Sequence, residues 1–143
     1  MRWWHVGPVH AIETASFPKD SWSADQFWQE LSHVTRRYFV AVQDAAVVGY
    51  VGAFLLPPAS DIQTIAVHED FRGRGVGRRL LEHVEGVAKA EGARVLTIEV
   101  RQDNNDARNL YHVNGFSVVS RRSSYYPDGM DALIMQKGLV DPS

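Results

Sequence analysis

Ile65-Ala66-Val67-His68-Glu69-Asp70-Phe71-Arg72-Gly73-Arg74-Gly75-Val76-Gly77-Arg78-Arg79-Leu80-Leu81 passes from an apolar strand, through a short acidic turn and a glycine cluster, into an amphipathic helix. Glycine lets a backbone N–H approach an anion with no Cβ in the way. The helix that begins there adds N–H donors without intrahelical partners and the positive end of its dipole. Arg72, Arg74 and Arg78 ring the turn with fixed positive charge and planar arrays of donors. The stretch reads as a pyrophosphate cradle. The bland alternative is a glycine-rich loop before an ordinary surface helix.

Two pyrophosphate-binding patterns do not fit. A dinucleotide fold places Gly-x-Gly-x-x-Gly after its first strand. Here the third glycine comes early, at Gly77, and Arg78 stands in the required place. A Walker loop ends in Gly-Lys-Ser or Gly-Lys-Thr, and neither occurs in the chain.

Working outward, the spacing predicts one domain built around one sheet. Val9, Ile12, Ala15 and Ser16 follow helical spacing after Gly7-Pro8, and Ser23-Ala24-Asp25-Gln26 is a capping box opening a helix with Phe27, Trp28 and Leu31. Tyr38 to Val42 and Val47 to Leu56 form a predicted hairpin, stopped by Pro57-Pro58. A strand over 61–68 feeds the glycine loop. The helix over 75–91 carries Val76, Leu80, Leu81, Val84 and Val87 on one face and stops at Gly92. A strand over 94–101, a short helix over 105–114, and strands over 116–125 and 132–136 about a Pro127-Asp128-Gly129 turn complete the order. This is a mixed α/β arrangement.

The 143 residues, 45% hydrophobic and 22% charged with a net charge of -2, suit a single globular domain and offer nucleic acid no global attraction. No cysteine is present, which excludes a disulfide framework, a thiol nucleophile and a cysteine-type zinc site. The six histidines, His5, His10, His33, His68, His83 and His112, are scattered without a metal-binding spacing, so no metal is expected. Met1 to Pro8 has no apolar run suited to a signal peptide, and no stretch reaches the length of a membrane span. A cytoplasmic protein with no membrane partner is expected, with residues 139–143 as a loose tail.

Alternation along Val95-Leu96-Thr97-Ile98-Glu99-Val100-Arg101 sets Thr97, Glu99 and Arg101 on one face of a strand. Glu99 interrupts an apolar, β-branched run. It lies either at the rim of a cleft or in a partly desolvated setting, and desolvation raises a carboxyl pKa. A solvated glutamate on an open strand face is the plainer reading.

Arg72, Gly75 and Gly77 match the Arg/Gln-x-x-Gly-x-Gly/Ala coenzyme A signature of the GNAT superfamily of N-acetyltransferases. Asn104, Ala107, Leu110, Tyr111, Gly115 and Phe116 match a second element, Asn-x-x-Ala-x-x-Leu-Tyr-x-x-x-Gly-Phe, in the same order. The chain therefore resembles this superfamily along most of its length. It is most similar to the RimI-type Nα-acetyltransferases through five further stretches. They are Ala11-Ile12-Glu13 to Phe17-Pro18, Trp22-Ser23, Ile65-Ala66-Val67, Ile98-Glu99-Val100-Arg101 and Tyr125-Tyr126-Pro127.

The resemblance implies a mostly antiparallel mixed sheet flanked by helices, with acetyl-CoA as co-substrate. It implies transfer to the N-terminal amine of a protein, a ribosomal protein in the RimI-type enzymes. It casts Glu99 as general base and Tyr111 as the acid for the departing thiolate. It puts the coenzyme against Ile65, Ala66, Val67, Arg72, Gly73, Arg74, Gly75, Val76, Gly77, Arg78 and Asn104. Trp22, Tyr125 and Tyr126 are expected to line the acceptor site, with Asp20, Asp128 and Asp131 attracting a basic peptide. The chain departs from its relatives where Phe17 to Ser23 is spread out, at Met130, and at Trp3-Trp4-His5, where the N-terminal strand is clipped. Transfer to a small amine or a lysine, and a non-catalytic acyl-CoA-binding domain, are the competing readings.

Overall fold

The chain builds its sheet from one edge to the other, with only the last two strands out of sequence. The structure, a computed structural model, describes residues 1–139. Helices α1 (Val6–Ser16) and α2 (Ala24–Leu31) come first, followed by strands β1 (Arg36–Gln43), β2 (Ala46–Leu56) and β3 (Ala59–Val67). Helix α3 (Val76–Ala90), strand β4 (Val95–Arg101), helix α4 (Asn105–Val113) and strands β5 (Ser117–Arg122) and β6 (Ala132–Gly138) complete it. Among the described residues the strands form one six-stranded sheet in the order β1-β2-β3-β4-β6-β5. Only β3 and β4 pair in parallel, joined by α3 as crossover, so the sheet is mixed and mostly antiparallel.

Apolar spacing decides which face each helix covers. Leu80, Leu81, Val84 and Ala88 of α3 are buried against the sheet together with Tyr111 of α4. Val6, Val9 and Ile12 of α1 and Phe27 of α2 pack on the other face with Tyr38 and Tyr50. The capping box of α2 forms as its sequence predicts: Gln26 N–H donates to Ser23 Oγ at 3.2 Å, and Ser23 N–H donates to Gln26 Oε1 at 2.7 Å.

One irregularity shapes everything that follows. Ala53 pairs with Ile62 and Gly52 with Thr64, which leaves Gln63 as an extra residue, a bulge in β3. Bulges bend the strand that carries them. The β3–β4 ladder runs from Ala59 with Val95 only as far as Ile62 with Ile98, although both strands continue. Beyond Gln63 the two strands part, and a notch opens in the middle of the sheet.

Three expectations need correction. Trp3–His5 is a short 3₁₀ turn rather than the remnant of a strand, closed by Arg2 N–H donating to His5 Nδ1 at 2.8 Å. Strand β5 stops at Arg122, not at residue 125. Ser124 takes a positive φ of 51° and its N–H donates to Asp131 Oδ1 at 2.8 Å, which turns Tyr125 and Tyr126 out of the strand. Leu139 is buried, and its N–H donates to Arg94 O at 2.9 Å, so it is not part of a tail. The remainder of the expected tail, 140–143, lies outside the described residues.

Candidate active site

The notch continues into two clefts that meet. The first, of about 500 Å³, lies between the end of β3, the start of α3 and the face of α4. Ile65, Ala66, Val67, Arg72, Gly73, Gly75, Val76, Gly77, Arg78 and Asn104 all line it. Arg74, expected with them, does not; its guanidinium lies over the Phe71 ring at 5.3 Å.

The glycine loop earns its composition here. Gly75 is the N-cap of α3 with φ 82°, a left-handed conformation in which side chains are strained, and a Cβ there would project into open space. Gly77 has a different reason: a Cβ would come 2.9 Å from Leu110 Cδ2, so the Leu110 side chain would have to shift to admit it. Arg79 N–H donates to Gly75 O at 3.1 Å, and the N–H groups of Val76, Gly77 and Arg78 precede that first helical bond. They form the anion-binding end of the helix. Arg72 is turned inward, with Nε donating to Val67 O at 3.1 Å and Nη2 to Ser16 Oγ at 3.4 Å. It ties the strand end to α1 beside the cradle.

Apart from Val67 O, which Arg72 Nε occupies, the backbone of β3 presents an open edge to the same cleft. His68 N–H donates to Val48 O at 2.8 Å. Antiparallel alternation therefore directs the backbone groups of Val67 and Ile65 away from β2, toward the notch. An extended, amide-bearing chain is the natural occupant of such an edge.

The second cleft, of about 540 Å³, lies on the other side of the notch. Phe17, Ile65, Asn104 and Tyr111 line both clefts and mark where they join. Tyr111 is 5% exposed, and burial pushes its phenol above the ordinary value, so the hydroxyl keeps its proton. Asn104 is the N-cap of α4, its Oδ1 accepting from Ala107 N–H at 3.1 Å, and this fixes the helix that carries Tyr111.

Glu99 stands on the wall of the second cleft, at the rim rather than in a desolvated interior. Its side chain is 35% exposed, its Oε1 lies 3.2 Å from Arg122 Nη1, and the Tyr125 hydroxyl hydrogen-bonds to it. That bond and the carboxylate's charge raise the Tyr125 phenol. Trp22, Tyr125 and Tyr126 line this cleft as expected. Phe27 is core, and Trp28 is remote, stacked on Trp3 at 6.4 Å.

Arg101 was read only as part of a strand, yet it organises this side. Nη1 donates to Asp20 Oδ2 at 2.8 Å, Nη2 to Asp128 Oδ2 at 2.5 Å and Nε to Asp103 Oδ1 at 3.1 Å, and the guanidinium lies over Tyr126 at 4.8 Å. It fastens the 17–23 loop to the 125–129 turn across the cleft mouth. Burial, with smaller contributions from Glu99 and Asp20, pushes the Tyr126 phenol up to about 12. The guanidinium beside Asp128 holds that carboxyl well below the usual range.

The acidic loop residues also hold these segments together. Asp20 and Asp128 pair with Arg101, and Asp131 with Ser124 N–H and, at 3.7 Å, with Arg121. Two further carboxyls line the cleft: Glu13, which the family resemblance includes without a role, and Asp61. Burial first, then the charge of Glu99, raises the Asp61 carboxyl. The signal for Glu13 was present: it falls on the same helical stripe as Val6 and Val9, where a carboxylate is out of place.

Residues 7–116 match the family model of the acetyltransferase (GNAT) family. The chain belongs to that family. It is 37% identical over 129 residues to N-alpha-acetyltransferase RimI of Mycobacterium tuberculosis, covering 87% of this chain and 80% of the relative. It is 34% identical over 119 residues to the ribosomal protein bS18-alanine N-acetyltransferase of Escherichia coli, covering 80% of this chain and 78% of that one. The crystal structure of the ribosomal-protein-S18-alanine N-acetyltransferase from Escherichia coli superimposes with a TM-score of 0.87 at 26% identity, covering 100% of this chain and 93% of that chain. The protein is an acetyl-CoA-dependent acyltransferase with the GNAT fold. Among the described residues, no helix is long and apolar enough to cross a membrane.

Proposed function

We propose that this enzyme acetylates the N-terminal α-amine of a protein, a ribosomal protein in the manner of its bS18-modifying relatives, by direct transfer from acetyl-CoA. The single observation that carries the reading is the junction of the two clefts. Tyr111 lies at it, and Glu99 stands on the wall of the acceptor side. A ribosomal acceptor puts the enzyme in the cytoplasm, with neither nucleic acid nor membrane as a partner.

The 500 Å³ cleft suits the donor. Its positive-φ glycines, free helix N–H groups, Arg72 and Arg78 fit a pyrophosphate, and the open edge of β3 at Ile65 to Val67 fits an amide-bearing arm. Glu99 takes the proton of the α-ammonium, directly or through water. An α-amine titrates near 8 and a lysine near 10.4, so a carboxylate serves the former far more readily. Val67 N–H, directed into the notch, polarises the thioester carbonyl. Tyr111, protonated in its buried position, hands a proton to the departing sulfur. With no cysteine in the chain, no acyl-cysteine intermediate is available.

The decisive experiment is mass spectrometry of a peptide panel incubated with the enzyme and acetyl-CoA, varying the first two residues and including an internal-lysine control. Acetylation confined to α-amines supports the reading. Acetylation of lysines or free amines alone replaces it with the small-amine or lysine alternative. Absence of turnover on every acceptor favours a binding domain.

A further inference from the structure

Glu13 is 2% exposed, sits in α1, and yet reaches the wall of the acceptor cleft. Its Oε1 accepts from the Tyr50 hydroxyl at 2.6 Å and the Thr64 hydroxyl at 2.7 Å, and Oε2 accepts from Trp22 N–H at 3.5 Å. The donors belong to three separate segments: β2, β3 and the loop between α1 and α2. A buried carboxylate is costly unless its oxygens are satisfied, and here both are.

The two oxygens do different work. Oε1 is saturated by hydroxyls from the sheet floor, which fixes the orientation of the carboxyl group. Oε2 is thereby aimed at one loop amide. Trp22 packs at 5.3 Å from the Phe27 ring and 6.4 Å from Tyr38, and in that position its side chain lines the cleft. The loop's other cross-chain ties, Asp20 to Arg101 and Lys19 to Asp128, lie toward the cleft mouth.

We propose that Glu13 is a positioning residue for acceptor recognition: it fastens the backbone of Trp22 to the sheet, so that the Trp22 ring forms a fixed wall for the incoming peptide. The proposal rests on the reading that the 540 Å³ cleft takes the acceptor. Glu13 takes no proton from the substrate and makes no contact with the donor cleft. Its removal acts on one substrate only.

The test is steady-state kinetics of the full chain with an alanine-initiated peptide and acetyl-CoA, at a temperature where circular dichroism shows each variant folded. Glu13→Gln keeps the volume and an oxygen for Tyr50 and Thr64, but sets an amide NH₂ against Trp22 N–H. Glu13→Asp keeps the charge and shortens the reach, and is the second variant should the first not fold. Either change raises the peptide KM by about tenfold, the size of one lost buried hydrogen bond, while the acetyl-CoA KM and kcat stay within about twofold. In a background with Trp3, Trp4 and Trp28 replaced by phenylalanine, the remaining Trp22 fluorescence shifts to the red in the same variants. Tyr50→Phe removes one of the two floor donors while Thr64 still holds Oε1, and lowers thermal stability with a peptide KM rise smaller than that of the Glu13 variants.

A parental peptide KM in the Glu13 variants overturns the proposal, as does a rise in both KM values together, or an equal KM effect from Tyr50→Phe. Trp22→Ala separates the two levels. If it raises the peptide KM while the Glu13 variants do not, only the positioning role falls. If it too leaves the peptide KM at the parental value, the cleft does not take the acceptor and the underlying reading falls with it.

Discussion

The two clefts are built from different materials. The cleft proposed for the donor is made chiefly of backbone: two positive-φ glycines, the opening N–H groups of α3 and the edge of β3. The acceptor cleft is made of side chains tied to one another, with Arg101 gripping Asp20, Asp103 and Asp128, and Glu13 gripping Tyr50, Thr64 and Trp22. A backbone site depends on conformation, and few residues satisfy it. A side-chain site depends on pairs, and pairs can be exchanged together. The first is suited to a constant substrate and the second to a variable one.

The sharpest test of that division lies where the clefts meet. Glu99→Gln lowers kcat by about 10²–10⁴-fold, the range of lost general-base catalysis, and leaves both KM values near parental. The deficit shrinks as pH rises, because more of the acceptor amine is already neutral. Stopped-flow and steady-state rates over a pH series measure it. Parental rates at pH 7 would move the base elsewhere. Tyr111→Phe lowers kcat by about 10²-fold with acetyl-CoA binding unchanged by calorimetry, because only the departing sulfur uses the hydroxyl.

On the donor side, Gly75→Val forces a β-branched residue into a left-handed conformation at the N-cap of α3. The strain of about 1–3 kcal/mol translates into a rise of roughly 10–100-fold in the acetyl-CoA KM, with the peptide KM constant. Calorimetry with acetyl-CoA reads it directly, and parental affinity would misplace the cradle. On the acceptor side, Arg101→Ala leaves only the exposed Lys19–Asp128 pair, at 3.4 Å, between the 17–23 loop and the 125–129 turn, and removes the arginine that Asp20 and Asp128 share. The expected effect is a rise of about tenfold in the peptide KM and none in that for acetyl-CoA. If both KM values move together, the two clefts are not separable and the comparison fails.

The same difference in materials explains what could be read from the sequence. The donor site is contiguous: a strand, three spaced glycines and a helix within residues 65–81, so its spacing announces it, and ten of the eleven coenzyme residues inferred from the family resemblance line one cleft. Arg74 escapes because an arginine beside a phenylalanine can stack instead. The acceptor site draws on 13–22, 61–65, 97–101 and 122–126, and no local pattern links those stretches. Tyr125 and Tyr126 have strand propensity, but the partners Glu99 and Arg101 lie across the fold and draw them out of β5. The pairing of Asp20 and Asp128 was hidden for the same reason, since the arginine they share is more than twenty residues away in either direction. The order of elements along the chain came through because helical and strand periods are local. The bulge at Gln63, which opens the notch, left no comparable signal.

The smallest expected effect concerns the acid limb of stability, where carboxyls of the acceptor side are shifted in opposite directions, Glu13 and Asp61 upward and Asp128 downward. Asp128 is held below its ordinary value of 3.8, first by the Arg101 guanidinium and then by Met130 N–H and Lys19. The stability it contributes is present above about pH 4 and is lost as pH falls through its lower folded value. Glu13 is raised above 4.5 by burial, against the pull of the Tyr50 and Thr64 hydroxyls, Trp22 N–H and His10. Its contribution is complete below the ordinary glutamate value and declines as pH rises through the folded one. Thermal unfolding of the parent from pH 6 downward therefore combines a gain from Glu13 with a later loss from Asp128. Asp128→Asn flattens the lower part of the curve, and because Asp128 is solvated the change is modest and weakens with added salt. Glu13→Gln removes the upper part and is insensitive to salt. Curves that respond to neither substitution would mean that these ties do not hold the acceptor side together, and that its loop and turn are set by packing alone.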